Sequence, residues 1–339
     1  MPAAHPQSLI TNRQSRLSCA LALLLAVAGT SGTTVGAESE PEGTFSIIAR
    51  DSAPGELGMA VHSKAHAVGS RTISAKGGVA VIAHQATSNP MYGQVGLELL
   101  QRGMTPQQAL DYMVRADEGR DNRQVSILDM QGRSASWTGS RPQDWKGHRC
   151  TPDYCVQGNI LAGPQVLDGM ARNFEAAAGQ PLAERLLAAL DGGQAAGGDR
   201  RGMQSAALTI VKPLAGAAGF SDRIMEFRVD DHRSPIVELR RVLNVFRGNQ
   251  LIAEANRHLQ GNRQDEALRT AIAARDLAPD SDNAWVGLAN VYLKLGQKSE
   301  SLAALRRAIE LNPAHRSELP KNANFESIRS DPEFRKMTD

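Results

Sequence analysis

TFSIIARDSAPGELGMAVHS, residues 44–63, reads as two strands around a turn. TFSIIAR and ELGMAVHS alternate or run apolar over strand length, and Asp51-Ser52-Ala53-Pro54-Gly55 carries the turn residues between them. Further along, GGVAVIAHQ (77–85) is nearly all apolar and predicts a strand buried on both faces. TSNPMYGQVGLELLQRG then closes a helix on Gly103, and Thr105-Pro106-Gln107-Gln108 opens another with a cap, a proline and a polar first turn. Strands return in RQVSILDM, RSASWTG and VQGNILAG. Helices at 164–177 and 181–191, a glycine-rich loop GGQAAGGDRRG, strands MQSAALTIV and DRIMEFRV, and a helix at 235–246 complete this part. Strands, two helices, strands, two helices, strands is an α+β grouping. It predicts antiparallel sheets with paired helices packed on them, where single βαβ alternation would predict a parallel sheet.

The segment before Thr44 reads differently. Arg13 and Arg16, the apolar run from Ala20 to Ala28 and the small residues Val35-Gly36-Ala37 predict a cleaved signal peptide over 1–37, with ESEPEG (38–43) as a short leader. The apolar run is too short for a permanent membrane span. An exported protein follows, periplasmic or secreted in a bacterium. Without the two signal arginines, 36 basic and 36 acidic residues remain. A balanced charge argues against nucleic acid as a partner, since phosphate binding needs a surplus of Lys and Arg. Of three cysteines, Cys19 leaves with the signal; Cys150 and Cys155 in HRCTPDYC predict a disulfide in an oxidising compartment, with free thiols as the alternative. A metal site would need more ligands than His148 nearby.

From Gly248 to Pro313 the chain repeats with a period of 34: Ala255, Ala267, Ala274 and Pro279 recur as Ala289, Ser301, Ala308 and Pro313. Trp285, Leu288, Ala289 and Tyr292 match the tetratricopeptide pattern. Two repeats over 248–316, with an amphipathic capping helix at 324–337 inside the tail 317–339, follow the main domain of residues 44–247. So short an array must pack on that domain or on another chain, a second copy included.

Thr44 is where chemistry could begin. A hydroxyl needs a base beside it, and an N-terminal α-amine can be that base; otherwise Thr44 is an ordinary strand residue. An oxyanion formed there would need donors such as neutral amides, and Gln85, Asn89, Gln157 and Asn159 sit at strand ends. Their bland reading is turn-making and capping. Arg200 and Arg201 in GGDRRGMQ could clamp a carboxylate or form a solvated loop, with Asp199 anchoring it; the spacing is wrong for a phosphate cradle. Asp230-Asp231-His232 reads as a strand end, His62, His66 and His84 as core-edge or solvated histidines, and Ser46 and Ser63 as strand serines lacking G-x-S-x-G. No metal and no cofactor is expected.

TFSIIARD…GELGMAVHSKAHAVGS, AHQATSNPMYG, RQVSILDMQGRSASWTG, VQGNILAGPQV, GGDRRGMQSAAL and DRIMEFRVDDHRSPIVELRR together resemble the bacterial and archaeal domain-of-unknown-function family 1028. The resemblance runs from Thr44 to about residue 247. It implies the αββα sandwich of N-terminal nucleophile (Ntn) hydrolases, with Thr44 at the position of the family's opening threonine. In many relatives that threonine follows the initiator Met; here a second cut after Gly43 would be required. The expected function is an exported Ntn-type amidohydrolase acting on a small amide or peptide-like substrate. The competing expectation is a non-catalytic exported scaffold that binds a protein or peptide through its repeats.

Overall fold

The computed structural model describes residues 43–142 and 144–339; the expected signal peptide and the leader up to residue 42 lie outside the described residues. In chain order the elements are β1 (Thr44–Asp51), β2 (Glu56–Ser63), α1 (Gly69–Thr72), β3 (Ile73–Lys76), β4 (Ala80–Ala86), α2 (Met91–Gln101), α3 (Pro106–Ala116), β5 (Arg123–Asp129), β6 (Ser134–Thr138), β7 (Trp145–Cys150), β8 (Tyr154–Leu161), α4 (Gln165–Ala176), α5 (Leu182–Ala195), β9 (Ser205–Val211) and β10 (Arg223–Val229). Then come α6 (Pro235–Gln260), α7 (Gln264–Leu277), α8 (Asp282–Lys294), α9 (Lys298–Leu311), α10 (His315–Glu318) and α11 (Pro332–Thr338), with 3₁₀ turns between the last two.

Two antiparallel sheets form, one of six strands in the order β10-β9-β2-β1-β8-β7 and one of four in the order β3-β4-β5-β6. β1 is central in the larger sheet, paired with β2 on one side and β8 on the other. Side chains alternate across a strand, so β1 serves two cores. Phe45, Ile47 and Ala49 pack against Met170, Leu186 and Leu190 of α4 and α5. Ile48 faces the smaller sheet in a cluster with Leu57, Met59, Val61, Val81, Leu128 and Cys155. On the outer face of the smaller sheet, Ile82, Val125 and Ile127 meet Tyr92 and Met113 of α2 and α3. The layers therefore run helix, sheet, sheet, helix, the αββα order expected.

α3 starts as its sequence predicts: Thr105 accepts a bond from the Gln108 N–H while Gln108 bonds back to the Thr105 N–H. Three extents differ from expectation. α5 runs on through Gly192 and Gly193 to Ala195, because these glycines permit contact instead of ending the helix. A Cβ on Gly192 would lie 2.2 Å from the Gly169 carbonyl oxygen of α4. The helix expected at 235–246 continues to Gln260, burying Leu243, Gly248 and Ala255, so the expected junction near residue 247 falls inside one unbroken helix. The expected cap at 324–337 is not one helix: Ala323–Ile328 is a 3₁₀ turn and Asp331 caps a new start at Pro332.

The repeats form as antiparallel pairs, with the C-terminal part of α6 on α7 and α8 on α9. The small residues of the 34-residue period, Ala255, Ala267, Ala274, Ala289, Ser301 and Ala308, are all at 0% exposure, which lets the helices approach. Phe325, Ile328 and Phe334 of the tail close the last pair by packing on Leu302, Leu305 and Ile309. Glu184 of α5 receives Arg240 at 3.1 Å and also Arg247, and Arg241 reaches Asp280 at 3.2 Å, tying α6 to both regions. Among the described residues no helix is long and apolar enough to cross a membrane.

Candidate functional site

The register places Thr44 opposite Ser63 of β2 and opposite Asn159 of β8. All three are buried to 1% exposure or less. The space between the sheets is apolar around Ile48, but turns polar toward the Thr44 end of β1. Thr44 Oγ1 donates to Ser63 Oγ at 3.1 Å, and Ser63 Oγ donates in turn to the carbonyl oxygen of Gly43. That carbonyl oxygen also accepts from Arg201 Nη2 at 2.9 Å. Two donors thus meet on the carbonyl oxygen of the one peptide group whose C–N bond would have to be cut to free the Thr44 amine.

Behind Thr44 lies a chain of buried amides and hydroxyls. Gln85 Nε2 donates to Thr44 O at 3.1 Å and to Gln124 Oε1 at 2.8 Å. Gln124 Nε2 donates to the carbonyls of Gly158 and Gly147 at 2.9 and 3.0 Å, and Asn159 Nδ2 donates to Gln124 Oε1 at 3.1 Å. Ser46 Oγ donates to Gln85 Oε1 at 2.6 Å, and Ser126 Oγ donates to Gln157 Oε1 at 2.7 Å. Both Nε2 hydrogens of Gln85 are used in holding Thr44 and Gln124, so this side chain fixes the backbone of the candidate nucleophile. Gln157 is occupied deeper in the seam. Asn159 Oδ1 is buried without a partner among the described residues.

Asp199 closes the other side. Its side chain is at 0% exposure and pairs with Arg201 at 2.9 Å. It also accepts from the Lys64 and Arg201 backbone N–H groups, each at 3.0 Å. The loop 197–204 is thereby fastened to the end of β2, and Arg201 is aimed at Gly43.

Asn89 and Arg200 are placed elsewhere. Asn89 Oδ1 accepts from the Met91 N–H at the start of α2, an Asx turn. Arg200 pairs with Asp144 at 2.7 Å, half exposed. Cys150 and Cys155 are joined by a disulfide across the β7–β8 hairpin.

Two histidines are buried neutral. His62 packs on Phe45 with ring centroids 4.8 Å apart, and neither ring nitrogen has a partner among the described residues. Burial lowers its pKa to about 4, against a smaller opposing pull from Asp199. His84 is likewise lowered to about 4 by burial, its ring nitrogens 3.1 and 3.0 Å from the hydroxyls of Ser74 and Ser88. Among the described residues no group of three or more His, Cys, Asp or Glu is arranged to hold a metal ion.

Ser63 and Gln124 are the members of this assembly that the sequence leaves as strand residues, whereas it already singles out Asp199 as a loop anchor and Arg201 as a carboxylate clamp or solvated residue. Ser63 had a detectable signal, since the hairpin register around Pro54-Gly55 puts it opposite Thr44. Gln124 had none, because nothing within RQVSILDM tells which face meets the other sheet.

In the repeats, a groove of about 590 Å³ is lined by Asn256, Gln260, Gln264, Asn290, Lys294 and Asn324. Asn290 Nδ2 donates to Asn256 Oδ1 at 3.1 Å, while Asn290 Oδ1 has no partner among the described residues.

Fold and site define a class: a four-layered αββα sandwich whose central strand opens on a buried threonine, extended by tetratricopeptide helices. The chain belongs to a family of unknown function, DUF1028, whose model matches residues 44–239. Residues 283–315, the second of the two repeats, match the tetratricopeptide repeat model. The crystal structure of a Silicibacter pomeroyi protein of the same family is similar, at 30% identity and a TM-score of 0.54, over 59% of this chain and 84% of that one. Comparison with curated proteins gave no match.

Proposed function

We propose that the chain is the precursor of an exported amide hydrolase of the N-terminal-nucleophile type. Thr44 cuts its own bond to Gly43 and then acts on a small amide or peptide-like substrate. The observation that carries this reading is the hydroxyl bridge from Thr44 Oγ1 through Ser63 Oγ to the Gly43 carbonyl oxygen.

That bridge supplies a balanced route. Thr44 Oγ1 attacks the Gly43 carbonyl carbon; its proton passes to Ser63 Oγ as the Ser63 proton passes to the carbonyl oxygen. The tetrahedral centre is a neutral hydroxyl compound, stabilised by the Arg201 guanidinium. Collapse breaks the carbon–nitrogen bond, the hydroxyl proton going to the Thr44 nitrogen, and leaves an ester on Oγ1. Water hydrolyses the ester to a Gly43 carboxylate and a free Thr44 amine. With a reference pKa of about 7.7–8.0, that amine serves as the base for later substrate amides.

The repeats supply a second role in this reading, binding a protein or peptide partner. The amide-lined groove with the unpaired Asn290 Oδ1 favours a polar, hydrogen-bonding segment there.

Intact mass and N-terminal sequence of the protein recovered from the cell envelope test the hydrolase reading. A chain beginning at Thr44, and a Thr44→Ala chain that keeps Gly43, are expected. A wild-type chain that begins at Glu38 and stays there leaves Thr44 without its base and favours a scaffold.

A further inference from the structure

Gly43 is buried and lies against the Asp199 carboxylate. A Cβ built on it would stand 2.7 Å from Oδ1 and 2.8 Å from both Cγ and Oδ2. Such a contact is cheap only if the neighbour can move. Asp199 cannot move freely: it is fully enclosed and held by the Lys64 N–H, the Arg201 N–H and the Arg201 guanidinium. Ser63 and Arg201 fix the carbonyl oxygen of the same residue, so Gly43 cannot shift away without losing both bonds.

Resting on the hydrolase reading above, we propose that the slot around Gly43 is the acyl subsite of the mature enzyme, and that Asp199 makes it selective for glycyl amides. The ester left on Thr44 Oγ1 during maturation and the acyl-enzyme formed from a substrate have the same bonds: acyl carbon, ester oxygen, carbonyl oxygen. Once the leader has left, a substrate acyl group attacked by the same oxygen places its carbonyl oxygen between Ser63 and Arg201 and its α-carbon against Asp199. An α-carbon bearing two hydrogens fits. An L-residue there drives its β-carbon into the carboxylate. The substrate class is therefore an amide or peptide in which glycine donates the scissile carbonyl. The chemical step is amide hydrolysis: water enters, the amine of the leaving side takes the proton, and a glycyl carboxylate departs. Asp199 is a specificity residue, acting by position.

The test is a pair of coumarin amides, acetyl-glycyl and acetyl-L-alanyl, given to the full-length protein after it has matured to begin at Thr44. The glycyl compound is expected to be cleaved on the order of 100-fold faster by kcat/KM, the scale of discrimination that one carbon commands in a shaped pocket. In parallel, Gly43→Ala in the full-length chain is expected to slow loss of the leader by a similar factor, read by intact mass. Equal rates on the two amides, with hydrolysis lost in Thr44→Ala, overturn the subsite and leave the hydrolase standing. Cleavage of neither amide, with a wild-type chain that never loses its leader, overturns both.

Discussion

Ser63 stands opposite Thr44 in the β1–β2 ladder, and its hydroxyl joins the Thr44 hydroxyl to the Gly43 carbonyl oxygen. Replacing it tests whether this contact is chemical or only structural. Ser63→Ala is expected to slow self-cleavage by about 10²–10³-fold, as for loss of a donor at a reacting carbonyl. The stability cost should be about 1–3 kcal/mol, because the buried Thr44 hydroxyl loses its partner. Time courses of leader loss by mass spectrometry, beside urea melts of the same variant, separate the two effects.

Gln124 is a hub whose worth lies in what it satisfies. Gln124→Ala strands the Gly158 carbonyl together with the amides of Gln85 and Asn159. Buried groups left unpaired cost about 1–3 kcal/mol each, so the expected loss exceeds about 3 kcal/mol. Chemical denaturation at neutral pH measures it; a loss below about 1 kcal/mol would mean that the seam rearranges around the gap.

His62 and His84 give stability a pH dependence of definite sign. Each has a folded pKa of about 4, below its ordinary value of 6.5. The unfolded chain takes up protons first as pH falls. The contribution of these two histidines is therefore full above 6.5, declines between 6.5 and 4, and levels off below 4. Within that window each histidine contributes a slope of about 1.4 kcal/mol per pH unit. His62→Leu, compared with the wild type at pH 7 and pH 5, is expected to remove about half of the decline that His62 and His84 together cause. An unchanged difference between the two pH values would show that His62 finds a proton partner on acidification.

The Cys150–Cys155 bond closes a loop with a sequence separation of 5. For so short a loop the chain-entropy relation gives about 2 kcal/mol. The double serine variant should lose about that much by urea titration and keep its N-terminal processing, because the seam around Thr44 does not use the sulfurs. Loss of processing would place the hairpin within the working site.

How far the sequence could be read depends on what each element buries. The 44–63 hairpin was legible because its turn residues and apolar arms agree, and it forms as β1 and β2. β3, only Ile-Ser-Ala-Lys on a sheet edge, offers no period to detect. β7 was hidden in the cysteine loop: WKGHRC is mostly polar, as an edge strand can afford to be. Glycine misled where it served contact, at Gly192, and was informative where it met a turn, at Gly55. At the site, alternation along β5 shows that Gln124 and Ser126 share a face. In a sandwich covered on both sides neither face is solvent, so polarity alone could not reveal that this one looks inward toward Thr44.

The 26 residues of α6 are one helix shared by the sandwich and the first repeat. A joint made this way works like a keyed shaft, with the bearing of the repeats set by residue count. Inserting one residue between Leu243 and Ala255 would turn everything beyond it by about 100° and advance it by about 1.5 Å. The α6–α7 packing would then face a new direction while every loop kept its length. Evolution can lengthen the linkers of most two-part proteins one residue at a time. Here the tolerated steps are whole turns.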